Sequence, residues 1–272
     1  MTVVTPEVFI ATVPWRRENL DVLVASLAVQ TVKPNFVTII ADNYVGHALP
    51  DYKNLSVAVE VIDTEGHKGA GERWRLIDKY VSHDDESLAL VIDDDIAIEK
   101  DYVECCALTY DRLGAPFSWN GMTFVDQYIA PEKHLGADTR LLVLGAGTAV
   151  VPSHMLAGIS RDPMASDFFG VYGDDEALVS WFLAKQGKKL YRPRGASSAW
   201  STKFQSDPRS QWAQKGGRHF GFRRRLKERG WPLIEPPPEY LRRERFKGCA
   251  QRRLPLQLRS ERPQIAKGRR FA

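Results

Sequence analysis

The sequence predicts an α/β fold, a mostly parallel sheet with helices on both faces, followed by a basic C-terminal extension. Two observations carry that expectation. Runs of strand length recur that are apolar throughout rather than alternating, so each must be covered on both sides. Segments of helical periodicity separate them, as crossover connections between parallel strands require.

The elements follow in order. "EVFIATVPW" reads as a buried strand closed by Pro14, and "RENLDVLVASLAVQ" places Leu20, Leu23, Val24, Leu27 and Ala28 at helical spacing. "NFVTIIADNY" is a second apolar run ending in a polar turn at Asp42 and Asn43, and "LSVAVEVID" is a third strand candidate. "GAGERWRLIDKYV" reads as a helix opening after glycines. "SLALVIDDD" is the fourth strand, and "EKDYVECCALTYDRL" resumes helical periodicity. Beyond Pro116, "FSWNGMTFV" and "RLLVLGAGTAVVP" are strand-like without clear crossover helices, which predicts a mixed sheet there. "DDEALVSWFLAKQG" is a helix with acids in its first turn and Gly187 just past its end, both favourable placements. "KKLYRPRG" follows as a short strand. After Trp200 the apolar periodicity thins, so residues 1–200 read as the folded domain and 201–272 as a basic helix and arm.

A chain of 272 residues with 43% apolar content can bury a full core. No apolar run reaches the roughly 18 residues of a membrane span, and the start lacks the basic segment of a secretory signal. Cys105, Cys106 and Cys249 have neither CxxC nor zinc spacing, so they read as structural thiols of a reducing compartment, the cytoplasm. The charge is divided. Residues 192–272 carry 22 Lys/Arg against 6 Asp/Glu, a balance of +16, whereas the first 191 residues carry 16 against 28, a balance of −12.

The acidic part holds the most pointed feature. "VIDDDIAIE" sets Asp93, Asp94 and Asp95 at the carboxyl end of a parallel strand, where ligands of open α/β sheets gather. Adjacent carboxylates repel, and oxygen clusters suit Mg²⁺ or Mn²⁺, which bind through one or two carboxylates plus substrate phosphates. Such a cluster is also compatible with a solvated turn that caps the next helix. "LGAGTA" lacks the third glycine of a dinucleotide loop and reads as close backbone approach; "GHKGAGERW" lacks the GK[ST] of a P-loop.

Read in order, these pieces resemble the GT-A fold glycosyltransferases, specifically those related to glycosyltransferase family 2. "VFIATVPWRRENLDVLVASLAVQTVKPNFVTIIADN" looks like that family's opening, in which the first two strand ends hold the nucleobase and ribose; here these are Thr12 and Asp42. "GHKGAGERW" is similar to the segment that approaches the diphosphate and points to Lys68, Gly69 and Arg73. "VIDDD" looks like the DxD motif, with Asp93 on the sugar nucleotide and Asp95 on the metal, leaving Asp94 to shape the turn. "GAGTAVVPSHML" resembles the acceptor-side wall. "GVYGDDEALVSWFLAKQGKKLYRP" resembles the acidic motif whose base position falls on Asp175, with Asp174 beside it. His219 is the candidate for a late histidine completing the metal shell. The resemblance spans about residues 7–195. Arg73-Trp74 departs from the usual Arg-Asn, and no final QxxRW occurs, which speaks against a polymerising synthase.

The resemblance implies a metal-dependent enzyme, inverting by family analogy, that uses Mn²⁺ or Mg²⁺ and a nucleoside-diphosphate sugar. The metal neutralises the departing diphosphate, and a carboxylate takes the acceptor's proton. The basic end interleaves Arg and Lys with aromatic residues, as in "GGRHFGFRRRLKERGW", which suits nucleic acid better than an amphipathic membrane stripe. The favoured acceptor is therefore a hydroxymethylated pyrimidine in DNA, as for phage DNA-modifying glycosyltransferases, which would place the chain in a host cytoplasm. Such a base must be flipped out of a duplex. A transferase acting on cell-envelope glycans or lipid-linked sugars is the alternative acceptor reading. A two-metal nucleotidyltransferase or nuclease using Asp93, Asp95 and Asp175, and a non-enzymatic nucleic-acid-binding protein, are alternatives of other classes.

Overall fold

A computed structural model describes residues 5–80, 87–122, 138–145, 147–163, 175–194 and 200–201. Four strands, β1 (Thr5–Thr12), β2 (Phe36–Ala41), β3 (Val59–Asp63) and β4 (Ser87–Asp93), lie where the apolar runs predict them. They pair in parallel, in the order β3-β2-β1-β4. The third run is shorter than its apolar stretch and only half-buried, because β3 is the edge of the sheet and has a neighbour on one side alone.

The second half of the sheet is mixed, as expected, but more broken. "FSWNGMTFV" yields two short strands, β6 (Phe117–Ser118) and β7 (Gly121–Met122). "RLLVLGAGTAVVP" yields three, β8 (Thr139–Leu141), β9 (Val143–Leu144) and β10 (Thr148–Pro152), rather than one. With β11 (Leu190–Arg192) the main sheet reads β3-β2-β1-β4-β10-β6-β11-β8. The central β10 runs antiparallel to β4 and to β6. Two small ribbons, β12 (Trp200–Ser201) with β5 (Ala97–Ile98) and β7 with β9, sit apart from it.

The two faces are sorted by the period-two geometry of the strands. Val8, Ile10, Val37, Ile39, Leu88, Leu90 and Ile92 face α1 (Arg17–Ala28) and α3 (Tyr102–Leu113), which supply Leu20, Leu23, Val24, Leu27, Tyr102, Val103 and Cys106. Phe9, Ala89, Val91, Ala149 and Val151 face α2 (Glu72–Tyr80) and α4 (Asp175–Lys185). α4 is buried nearly all round, from Ala177 to Leu183, so it serves as core rather than as a surface helix. Burial of such side chains is worth roughly 1.5–3 kcal/mol each before entropy is counted. No described helix is long and apolar enough to cross a membrane.

The α4 terminus shows how local sequence sets geometry. Gly187 adopts φ 76°, and its N–H bonds to the Ala184 carbonyl while the Lys188 N–H reaches back to Leu183. This is the Schellman pattern, which a left-handed residue completes. Gly187→Ala meets no steric neighbour, so its whole cost is the left-handed backbone. We expect a loss of about 1 kcal/mol in urea unfolding, with an unchanged m-value.

Candidate functional site

The register brings the carboxyl ends of the parallel strands to one rim. Thr12 stands opposite Ala41, and Ala11 opposite Asp93. The Asp42 N–H donates to the Thr12 carbonyl at 2.9 Å, holding the first two strand ends together just beyond their last residues. Asp93, Asp94 and Asp95 leave β4 beside them, and α2 and α4 begin near the same edge.

The three aspartates have three environments. Asp94 is buried, and its carboxylate accepts from the Thr12 hydroxyl at 2.8 Å and from Arg16 Nη1 at 2.7 Å. The expectation that Asp94 merely shapes the turn is therefore corrected: it ties the strand β1 end and the 3-10 turn Pro14–Arg16 to the end of β4. Burial pushes its pKa up to about 6, against the opposing pull of the Arg16 charge. Asp95 is also shifted upward, first by burial and then by the charge of Asp93, and Arg16 Nη1 lies 3.3 Å from its Oδ2. Asp93 is the most open of the three, with 39% of its side chain exposed.

Asp93 is held from the other side by Arg73. This guanidinium is 2% exposed, and Nη1 donates to Asp93 Oδ1 at 2.6 Å. Its Nε and Nη2 converge on Asp175 Oδ2 at 3.2 and 2.9 Å. The Trp74 indole N–H donates to the same oxygen at 3.0 Å. Burial alone would lower the Arg73 pKa, but the charges of Asp175 and Asp93 outweigh it and raise it, so the cation is permanent. Trp74 fills the core and supplies the third donor to Asp175.

The sequence-predicted donor residues are distributed unequally around this rim. Thr12 turns its hydroxyl inward to Asp94. Asp42, 2% exposed, is enclosed by donors: Thr64 Oγ1 at 3.0 Å, the Lys68 N–H at 2.6 Å, the Gly69 N–H at 3.1 Å and His67 Nδ1 at 2.5 Å. It organises the loop from Thr64 to Gly69, in which Glu65, Gly66 and Gly69 all have positive φ. Lys68 keeps its side chain exposed on that loop while its backbone holds Asp42. Arg73 extends its fork to the partly exposed Asp93 and the buried Asp175. Asp175 joins Asp93 through that fork. Asp174 and His219 lie outside the described residues, as does the basic arm beyond Ser201.

Sequence reasoning passed over Arg16 and His67. The only signal for Arg16 was its position just after a strand end with aspartates elsewhere on the rim, and pairing across 78 positions is invisible to local pattern. The reading of "LGAGTA" as close approach is realised. A Cβ at Gly147 would lie 2.5 Å from Asp93 Oδ2 and 2.8 Å from Ile96, and one at Gly145 would strike Asn120. Glycine at 147 leaves room for the Asp93 carboxylate.

Among the described residues no group of three or more His, Cys, Asp or Glu side chains is gathered as a metal site. Asp93 and Asp95 nonetheless fit a hard divalent ion that takes part of its shell from phosphates: both are oxygen donors, and the Asp93 charge raises the Asp95 pKa.

No protein-family model and no curated protein matches the sequence. Solved structures do share its fold. GalNAc-T7, crystallised with UDP, GalNAc and Mn²⁺, superposes with a TM-score of 0.50 over 76% of this chain and 45% of its own, at 11% identity. S. aureus TarS 1-349 in complex with UDP-GlcNAc gives a TM-score of 0.49 at 14% identity, over 72% of this chain and 57% of that one. The S. aureus TarS structure gives 0.47 at 16% identity, over 66% and 33%. The chain thus spans from a third to just over half the length of these proteins. The likeness to GalNAc-T7 is one of fold, and the α/β architecture is the GT-A fold.

Two outcomes test the site's energetics. Arg73→Met leaves two carboxylates without their cation and should cost about 3–5 kcal/mol in urea unfolding. For Asp94, the folded pKa of about 6 lies above the ordinary carboxylate value. The folded state then holds a proton that the unfolded chain releases, so this residue's contribution is greatest at low pH and is lost as pH rises through about 6. In EDTA-containing buffer, a carboxyl ¹³C titration should give that midpoint, and Asp94→Asn should flatten the accompanying fall in stability.

Proposed function

We propose that the chain is a glycosyltransferase moving a sugar from a nucleoside-diphosphate donor to an acceptor hydroxyl. The observation that carries this reading is the convergence of Asp93, Asp95 and Asp175 on the carboxyl rim, with Arg73 fixing Asp93 relative to Asp175. Support also comes from the shared fold of GalNAc-T7, whose structure holds UDP and Mn²⁺.

In this reading Asp93 and Asp95 hold Mn²⁺ or Mg²⁺, which when bound neutralises charge on the departing diphosphate. Thr12, Asp42 and Lys68 border the nucleotide, with Asp42 shaping the Thr64–Gly69 loop and Lys68 offering its exposed ammonium to phosphate. Arg73 holds Asp93 and Asp175 in register, which supplies orientation. Asp175 is the base, with Asp174 beside it. Its Oδ2 is tied by Arg73 and Trp74, which aims the carboxylate. His219 is the third metal ligand in this reading.

For the acceptor we propose a hydroxymethylated pyrimidine in DNA, supported by the balance of 22 Lys/Arg against 6 Asp/Glu over residues 192–272. Inverting stereochemistry rests on family analogy.

The test uses the full chain with a panel of nucleotide sugars and hydroxymethylated DNA. Release of nucleoside diphosphate should require Mn²⁺ or Mg²⁺ and fall at least ~100-fold in Asp95→Ala. The DNA should gain the mass of one glycosyl residue, a hexose or aminosugar less one water, per modified base. Turnover untouched by Asp95→Ala would remove the metal role. Nicking of plasmid DNA without a sugar donor would overturn the transferase reading, and turnover confined to envelope glycans would overturn the DNA acceptor.

A further inference from the structure

Arg16 belongs to neither the core nor the predicted donor set, yet it is built into the acidic rim. Its Nη1 lies 2.7 Å from Asp94 Oδ1 and 3.3 Å from Asp95 Oδ2, and its side chain is 14% exposed. Asp94 cannot drift to follow it, because its other oxygen accepts from buried Thr12 at 2.8 Å. Thr12 is in turn fixed in β1, paired on one side with β2 and adjoining β4 on the other. Arg16 is therefore moored by one carboxylate and laid against the next.

We infer that Arg16 is an internal counter-cation that competes with a divalent ion for Asp95 and so sets the affinity of the Asp93–Asp95 pair. This rests on the metal role given to that pair above. The reason is electrostatic. A guanidinium in contact with a carboxylate opposes any second cation at the same oxygens, and the effect is large where solvent is partly excluded. Arg73 plays the corresponding part for Asp93, but through Oδ1 and from full burial, where it cannot give way. Arg16 is the more exposed of the two, and its 3.3 Å contact with Asp95 is longer than its 2.7 Å contact with Asp94. That contact is the one an entering cation weakens, while the Asp94 anchor persists. Arg16 is thus a positioning residue that keeps the bare rim from carrying unrelieved negative charge.

The experiment measures Mn²⁺ binding to the full chain without donor, by loss of the free-ion electron paramagnetic resonance signal at pH 8. Arg16→Gln should bind Mn²⁺ about tenfold more tightly than the unaltered protein. Arg16→Lys, which keeps the charge on a differently shaped, point-like head group, should fall between them. Because Arg16→Gln leaves Asp94 buried without its cation, Arg16→Gln combined with Asp94→Asn serves as the second variant. It removes both charges of the moored pair and should still bind Mn²⁺ severalfold more tightly, and adding Asp95→Asn should abolish the gain. Equal or weaker binding in both Arg16 variants, or no uptake by either, overturns the inference. Metal-dependent donor turnover with unchanged affinity in the variants would sink this competition and leave the transferase standing. Tighter Mn²⁺ binding without any donor turnover would do the reverse.

Discussion

One buried cation organises the rim. The Arg73 guanidinium joins the end of a central strand to the start of a core helix, with Asp93 on one arm and Asp175 on the other. Asp175 could not be held so close to the core without it, since an unpaired buried carboxylate costs several kcal/mol. The Trp74 indole completes the arrangement by donating to Asp175 while its ring packs with Phe9, Ile77 and Val91. Hydrophobic packing and charge placement here are consequences of two adjacent residues on one helix, one of which fills the core while the other feeds the rim.

A second pairing works on the opposite side of the same strand. Arg16 and Thr12 hold Asp94, so consecutive aspartates are drawn to different partners instead of sharing one space. Mutual repulsion is thereby divided: Asp94 inward, Asp93 towards Arg73, Asp95 between. Asp42 shows the same economy at the next strand end, where two backbone N–H groups, a hydroxyl and an imidazole converge on one carboxylate and set the course of the following loop. Loop geometry on this rim is written largely by aspartates, each of which collects the donors that a turn leaves unpaired.

Much of this was legible beforehand, and the reasons are particular. β1, β2 and β4 carry long apolar runs because both faces are covered, and that pattern needs no knowledge of their partners. α4 was recognisable by acids at its start and Gly187 at its end, both local signals. The strand region after Pro116 was recognisable only in kind. Its run of apolar residues gave no sign that Gly145 and Gly147 would split it into β9 and β10, because what demands the glycines is Asn120 and Asp93, far off in the chain. Arg73 was singled out by resemblance, but its near-complete burial between Asp93 and Asp175 was not legible, since a sequence does not state whether an arginine is buried.

The amino-acid order alone determined the periodicities, hence the α/β class, the parallel half of the sheet and the placing of Asp93–Asp95 at a strand's carboxyl end. These depend on spacing along the chain, which burial reads directly. Only the tertiary structure decided which charge meets which. Arg16 lies 78 positions from Asp94 and Arg73 lies 102 from Asp175. Contacts at such separations are set by strand register and helix packing, and a carboxylate's chemistry follows from the neighbours that these deliver.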